Sequence, residues 1–531
     1  MLGTLVSTLA FAQSESVKLN GDLVDGGAVQ GSLISPDSGR VVYVADQNTD
    51  DRRELFSVPI DGGPTTKLVG EPEIDRQLFF SFVIGPDGRN VVFVTDLEQA
   101  GIRELFRVPI VGGPILKLND PLPPGGDVFN IRFTPDGQRV IFTADQTTNS
   151  VTELYSVPAD GGPVVKLNAP FTQGGRILSS QRISPDSQTV VYLADQDTDG
   201  VTELYSVPAA GGSVTKLNGP LVEGGDVDGF DVRLSPDGNT VVYEADQETD
   251  GLNEIFAVPI DGGVATKISA PMVSGGGARR FEISSDSTRV IYLANQDRAD
   301  LTELFSVSIS GGEVTKLSDP EAVAPGSFRL SADGTTVVYR SNELLNQLFS
   351  VAVTGGPVIQ LNAPLPDNER VNGFILSADS ASVVYSINSA GDATPKIVGQ
   401  KGVEAPTTAL FRVSINGGLV TQLTEPFNNG ARVDDFNITA DSELVVYSAN
   451  QDEVGVFELY GVPIGGGNAV KLNGPLTAGG NVDLFDISRD SNAIVYSADQ
   501  DTDNVQEIYR VTRGGLGRPD PLFSDGFESD R

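Results

Sequence analysis

The sequence predicts an all-β protein, a β-propeller of four-stranded antiparallel blades. Three observations lead there. A motif S-P-D-G or a close variant places its aspartate at 37, 87, 136, 186, 237, 286, 333, 379, 441 and 490, at intervals of 50, 49, 50, 51, 49, 47, 46, 62 and 49 residues. Self-similarity at 40–50 residues marks propellers and solenoids. Within each unit four short runs rich in Val, Ile, Phe and Tyr are separated by turn residues, and no stretch carries helical periodicity. Glycine is 60 of 531 residues, about 11% against the usual ~7%, which fits many tight turns.

The unit spanning 231–268 shows how each element arises. Its four runs are 232–234, 240–243, 254–258 and 265–268. Pro236-Asp237-Gly238 makes the first turn, because proline presets φ and glycine tolerates positive φ. Asp261-Gly262-Gly263 makes the third, a tight hairpin. The second connection, 246–251, is longer and acidic. The second run is apolar on consecutive residues, as in Val41-Val42-Tyr43 and Val190-Val191-Tyr192. That suits a strand covered on both faces by neighbouring blades. Lys67, Lys117, Lys166, Lys216, Lys267, Lys316 and Lys471 sit on the fourth run, where they guard an outer edge against pairing.

Residues 16–20, S-V-K-L-N, read as a fourth strand with no first three before it. The tenth unit has three strands, ending 507–511, and lacks the K-L-N strand. The two ends therefore complement each other, and the expectation is ten blades in one ring closed by an N-terminal strand. Two packed smaller propellers are the alternative. The eighth unit carries an insertion, 389–408, with Lys396 and Lys401, either a protruding binding hairpin or a tolerated loop.

S-P-D-G, then V-V-Y, then E-L-Y-S-V, then G-G-x-x-x-K-L resembles the repeat of TolB-type β-propellers, over residues 17–511. Such propellers occur as periplasmic protein-binding modules, as domains of serine peptidases and as lyases of plant-wall sugars. Fold alone does not choose among these.

Composition narrows the choice. The net charge of −36 disfavours nucleic acid and suits cations or basic partners. The absence of Cys removes disulfide and thiolate chemistry, and the absence of His removes Ser-His-Asp catalysis and His-ligated metals. There is no G-x-S-x-G motif and no α/β segment to hold one. No 20-residue apolar run suggests a membrane span. Residues 1–12 are apolar and end Ala10-Phe11-Ala12, an A-x-A cleavage pattern without the usual basic leader. They read as a signal peptide, with 13–515 as the propeller and 516–531 as a tail. In the tail, 523–528 resembles an F-x-D-G-F-E ending of exported proteins from some Gram-negative bacteria. A periplasmic or secreted monomer is the expectation.

Three sets of residues are candidates for a site. Asp195-x-Asp197-x-Asp199 and Asp499-x-Asp501-x-Asp503 alternate carboxylates on the second loop, the spacing a Ca²⁺ ion could use. A hairpin needing Asp and Gly for its turn gives the same sequence. The Glu opening each third strand (Glu54, Glu104, Glu153, Glu203, Glu254, Glu303, Glu458, Glu507) could close that loop. Arg132, Arg182, Arg233 and Arg329, two residues before the S-P-D motif, belong to the innermost strands and could ring an anion in the channel, or pair with Asp186, Asp231 and Asp237. Asp127, Asp226, Asp228 and Asp483 lie in loops of one face, where propellers bind partners. The functional expectation is a non-enzymatic scaffold for a protein or cell-envelope partner, with Ca²⁺ as a possible stiffener. The alternative is a carbohydrate- or peptide-acting enzyme that works with carboxylates alone.

Overall fold

A computed structural model describes residues 15–513 apart from 71–80, 173, 179–180, 319–322, 342–346, 367–368, 390–406, 426 and 428–429. The signal-like start, the C-terminal tail and the insertion with Lys396 and Lys401 lie outside the described residues. The described chain is all-β, and its strands form ten four-stranded antiparallel meanders arranged as a propeller ring. In blade 5 the strands are Val227–Leu234, Thr240–Ala245, Glu254–Pro259 and Thr266–Lys267. The first strand starts five residues earlier than its apolar run indicates, and only two residues of the fourth pair with the third.

Ring closure follows the sequence. Val17–Lys18 pairs with Glu507–Thr512 as the fourth strand of blade 10. It repeats the side-chain contacts of an ordinary blade. Lys18 pairs with Glu507, and Asn20 Oδ1 accepts from the Ile508 N–H at 2.9 Å, as Asn168 Oδ1 does from Leu154 at 2.8 Å. The fourth-strand lysines are therefore ion-pair partners of the third-strand glutamates: Lys67–Glu54 is 2.6 Å, Lys267–Glu254 3.1 Å and Lys471–Glu458 2.7 Å. Edge protection is a second role. Those glutamates face lysine, and Glu54 also accepts from Asn48 Nδ2 of the second loop at 2.6 Å.

Both faces of each second strand are covered. Val41 and Tyr43 pack with Ala493, Val495 and Ile508 of blade 10, while Val42 and Val44 pack with Val91 and Phe93 of blade 2. Full burial of such a side chain is worth about 1.5–3 kcal/mol, so the core is a series of sandwiches between blades. Inside every blade an aromatic of the second strand stacks on one of the third, as Tyr243 does on Phe256 at 5.5 Å.

The S-P-D turns join blades as well as strands. The residue after Asp has positive φ and is Gly or Ser, for example Gly238 (78°) and Ser287 (61°). A non-glycine residue there costs roughly 1 kcal/mol or more. Ser287 Oγ accepts the N–H of Asp237 from the preceding blade at 2.9 Å, which offsets that cost. Ser187, Ser380, Ser442, Ser491 and Ser38 make the same bond to Asp136, Asp333, Asp379, Asp441 and Asp490, the last across the closure.

The first strands of successive blades touch one another around the centre. They bulge near their start. In blade 1 one extra residue lies between Gly31↔Val44 and Val29↔Ala45. In blades 5 and 7 the bulge is larger. Residues 228–231 stand against Glu244 alone, and 324–327 against Arg340 alone. These two first strands are eight residues long, where that of blade 1 has six.

Candidate site on the inner wall of the ring

The position two residues before each turn motif points a different chemistry inward around the ring. Blades 3, 4, 5 and 7 place Arg132, Arg182, Arg233 and Arg329 there, and blade 6 places Glu282. Blade 6 adds Arg280 from its bulge, at φ 39°. The other blades carry Leu33, Val83, Ile375, Asn437 and Asp486. Five guanidiniums thus follow one another over blades 3–7.

Their partners are uneven. Arg233 Nε donates to Asp231 at 2.8 Å. Glu282 takes Arg280 at 3.1 Å and Arg329 at 3.8 Å. Arg182 has no carboxylate partner among the described residues. Its Nε donates to the Val232 carbonyl of the next blade at 2.9 Å. Burial, then Arg132 and Arg233, hold its guanidinium below its ordinary value against the pull of Asp231. Arg132 is exposed and makes no ion pair among the described residues. Of the aspartates that could neutralise this arc, only Asp231 does so. Asp186 and Asp237 instead accept from Ser184 and Ser235 hydroxyls and from the N–H of Gln188 and Asn239 inside their own turns. Those bonds hold both carboxyls below the usual range.

Glu244 lies beside the arc, in a cleft of about 670 Å³ between blades 5 and 6 that is also lined by Asp228, Asp231, Arg233, Asn253, Arg279 and Arg280. Other blades carry Val44, Val94, Thr143, Leu193, Leu293, Ser386, Ser448 or Ser497 at its position in the second strand, and blade 7 carries Arg340. Glu244 is 5% exposed. Its Oε1 accepts from Asn253 Nδ2 at 3.1 Å, and the same amide reaches Asp228 at 3.3 Å. Burial and the charge of Asp228, with a smaller push from Asp231, raise its carboxyl to about 8, against the pull of Asn253 and Arg279. Glu244 therefore holds a proton at neutral pH. The sequence reading missed it, although a lone acid in a V-V-Y-x-A strand was a visible departure from the repeat.

The Asp-rich loops hold their carboxylates apart. Asp195 accepts the Arg176 N–H on Oδ1 and the Gly200 N–H, at 3.4 Å, on Oδ2. Asp197 reaches Lys216 at 3.4 Å, and Asp199 lies against Gly174 of the loop before. Blade 10 repeats this. Asp499 accepts from Asn481 and Asn504 N–H, Asp501 reaches Lys18 at 3.5 Å, and Asp503 accepts from Asn504 Nδ2 and lies against Gly479. Both oxygens of the first carboxylate are used within the fold, and the second turns outward to lysine. Among the described residues no three acidic groups stand together to hold a metal ion. This donor set does not fit Ca²⁺, which takes six to eight oxygens. The face-loop aspartates divide in two. Asp127 and Asp226 staple adjacent blades by accepting the N–H of Arg103 and Thr202, whereas Asp228 lines the Glu244 cleft.

No protein-family model matches the sequence, and no curated protein does. Among solved structures the chain is similar to an eukaryotic initiation factor (12% identity, 84% of this chain and 96% of the other, TM-score 0.48). It is similar to a putative TolB from Agrobacterium tumefaciens (18%, 49% and 83%, TM-score 0.27) and to an oligogalacturonate lyase from Vibrio parahaemolyticus (11%, 85% and 98%, TM-score 0.36). A prolyl endopeptidase aligns at 14% identity and a TM-score of 0.38, and the chain spans about half (55%) of its length. These neighbours include enzymes and a non-enzyme, none reaches a TM-score of 0.5, and the architecture rests on the strand pairing described above.

Proposed function

We propose that the chain is an exported, monomeric and non-enzymatic β-propeller, a scaffold for a protein or cell-envelope partner that presents an acidic segment to the arginine wall of blades 3–7. One observation supports this reading. On a chain of net charge −36, five arginines line one arc of the inner wall, and among the described residues only Asp231 and Glu282 pair with them. A cationic surface inside an acidic body steers an anionic segment to one place. The test is binding of a fluorescent poly-glutamate peptide at low and high salt. The wild-type chain should bind with a steep salt dependence, and Arg132→Glu, at an exposed position, should weaken binding at least tenfold. Equal binding by the variant would sink the reading.

One feature favours a second reading, an enzyme acting on carbohydrate without histidine. Glu244 keeps its proton beside Asp228 and Asp231, and a proton-holding carboxyl next to other carboxylates is an acid–base arrangement. Turnover on a polysaccharide panel that disappears in Glu244→Gln would establish it; no turnover on the panel would leave the scaffold.

A further inference from the structure

A second cleft opens on the same wall, about 710 Å³, across the first strands of blades 2, 3 and 4, and its polar lining includes Arg132, Arg182, Gln181 and Asn130. Its wall holds an unusual group. Gln181 is completely buried, and neither its Oε1 nor its Nε2 has a hydrogen-bond partner among the described residues. An amide buried without partners is costly, and native proteins keep few of them. The group is flanked by cations that make no ion pair among the described residues. Arg132 is exposed with no ion pair among the described residues, and Arg182 spends Nε on Val232 and Nη1 on the Gln181 carbonyl, which leaves Nη2 for a ligand.

We propose that this cleft binds a small hydroxycarboxylate. The inference rests on the reading of the inner wall as a binding surface and assigns the ligand at its blade 3–4 end. A carboxylate accepts from the guanidiniums and from Gln181 Nε2. It cannot satisfy Oε1, because an ionised carboxylate only accepts. Oε1 needs a donor, and a hydroxyl close to the carboxylate supplies it. A bare anion such as sulfate answers the arginines and leaves Oε1 orphaned, so the amide selects among anions while the arginines attract them all.

The experiment is isothermal titration of the full chain with citrate, with tricarballylate (the same three carboxylates without the hydroxyl) and with sulfate. Citrate should bind about tenfold tighter than tricarballylate, the ratio for one good hydrogen bond to an otherwise unpaired buried group. Gln181→Met, which keeps the shape and removes both polar atoms, should erase that ratio while tricarballylate still binds. It should also keep or raise the melting temperature, because no described residue bonds to the amide. Arg132→Gln should weaken both tricarboxylates. No binding of citrate, equal affinity for the two, or a citrate preference that survives in Gln181→Met each overturns the proposal. The wider reading is decided separately by poly-glutamate binding: if that peptide binds while citrate does not, only the ligand assignment fails.

Discussion

Blades 5 and 7 share a backbone device and use it in opposite ways. In both, four first-strand residues stand against one charged residue of the second strand, Glu244 or Arg340. Arg340 is 4% exposed, and its guanidinium is closed in by the carbonyls of Val371 (3.2 Å) and Asn372 from blade 8 and by Ser327 Oγ (3.0 Å). Burial and the nearby Arg370 pull it down to about 10, so it stays charged at neutral pH. Glu244 meets one amide and an open cleft, and it stays neutral. A large bulge makes room for a charge. Whether that charge becomes a lock or a site depends on what the next blade offers, carbonyls in one case and a carboxylate-lined cleft in the other.

The largest expected effect lies in blade 5. A buried acid whose folded pKa is raised binds its proton more tightly in the native state, so native stability falls as pH rises from the unfolded value near 4.3 to about 8, and then levels off. Glu244→Gln should remove this slope. The variant should gain on the order of 3 kcal/mol over wild type between pH 5 and pH 8, read by chemical denaturation at the two pH values. Parallel wild-type and variant curves would mean that Glu244 is ionised and that the contrast with Arg340 is one of sign only. In blade 7, Arg340→Met strips the donors from two carbonyls and a hydroxyl and should cost about 2 kcal/mol, with no change of slope between pH 5 and 8. A neutral effect would make Arg340 a tolerated burial instead of a lock. A smaller change sharpens the first. Asn253→Ala removes the donor to Glu244 and should move the upper end of its stability slope to higher pH, at a cost of about 1 kcal/mol. If that end stays in place, Asp228 and burial alone set the titration. The smallest effect is expected outside both blades. Millimolar Ca²⁺ against EDTA should leave the melting temperature unchanged, whereas a ligand at 100 times its Kd would add about 2.7 kcal/mol. A rise would return the 195–199 and 499–503 loops to the list of metal sites.

The ring was legible because its signals are local and repeated ten times. The S-P-D turn needs positive φ after Asp, and V-V-Y needs cover on both faces. S-V-K-L-N at residues 16–20 had to find the third strand that lacked it, and it pairs there. The arginine arc could be anticipated from register, since residues two before the turn share one side. The pairing between elements was harder to see. The third-strand glutamates and fourth-strand lysines were read separately, and only the sheet brings Glu54 to Lys67. D-x-D-x-D has the spacing of a cation loop, but the chain directs its three carboxylates to backbone, lysine and the preceding loop. The sites themselves departed from the repeat. Glu244 and Arg340 are the ionisable residues in a column of Val, Leu, Ser and Thr, and in their blades four first-strand residues face that one position. Comparing blades column by column would have found them, because where a fold repeats, the odd residue is the informative one. Gln181 carried no such sign, since its significance is the lack of partners around it.

The closing strand also sets how the ring would answer a mechanical load. Val17 lies opposite Arg510 and Lys18 opposite Tyr509, so the two chain ends leave the sheet side by side. Tension applied through residues 15 and 513 would therefore peel the strand away one bond at a time, instead of shearing all its bonds together. The two paired residues, the Lys18–Glu507 and Lys18–Asp501 contacts, the Leu19 N–H bond to the Ile508 carbonyl and the Asn20 bond to the Ile508 N–H would then give way in turn, so the ring is unlatched most easily by a pull on its ends.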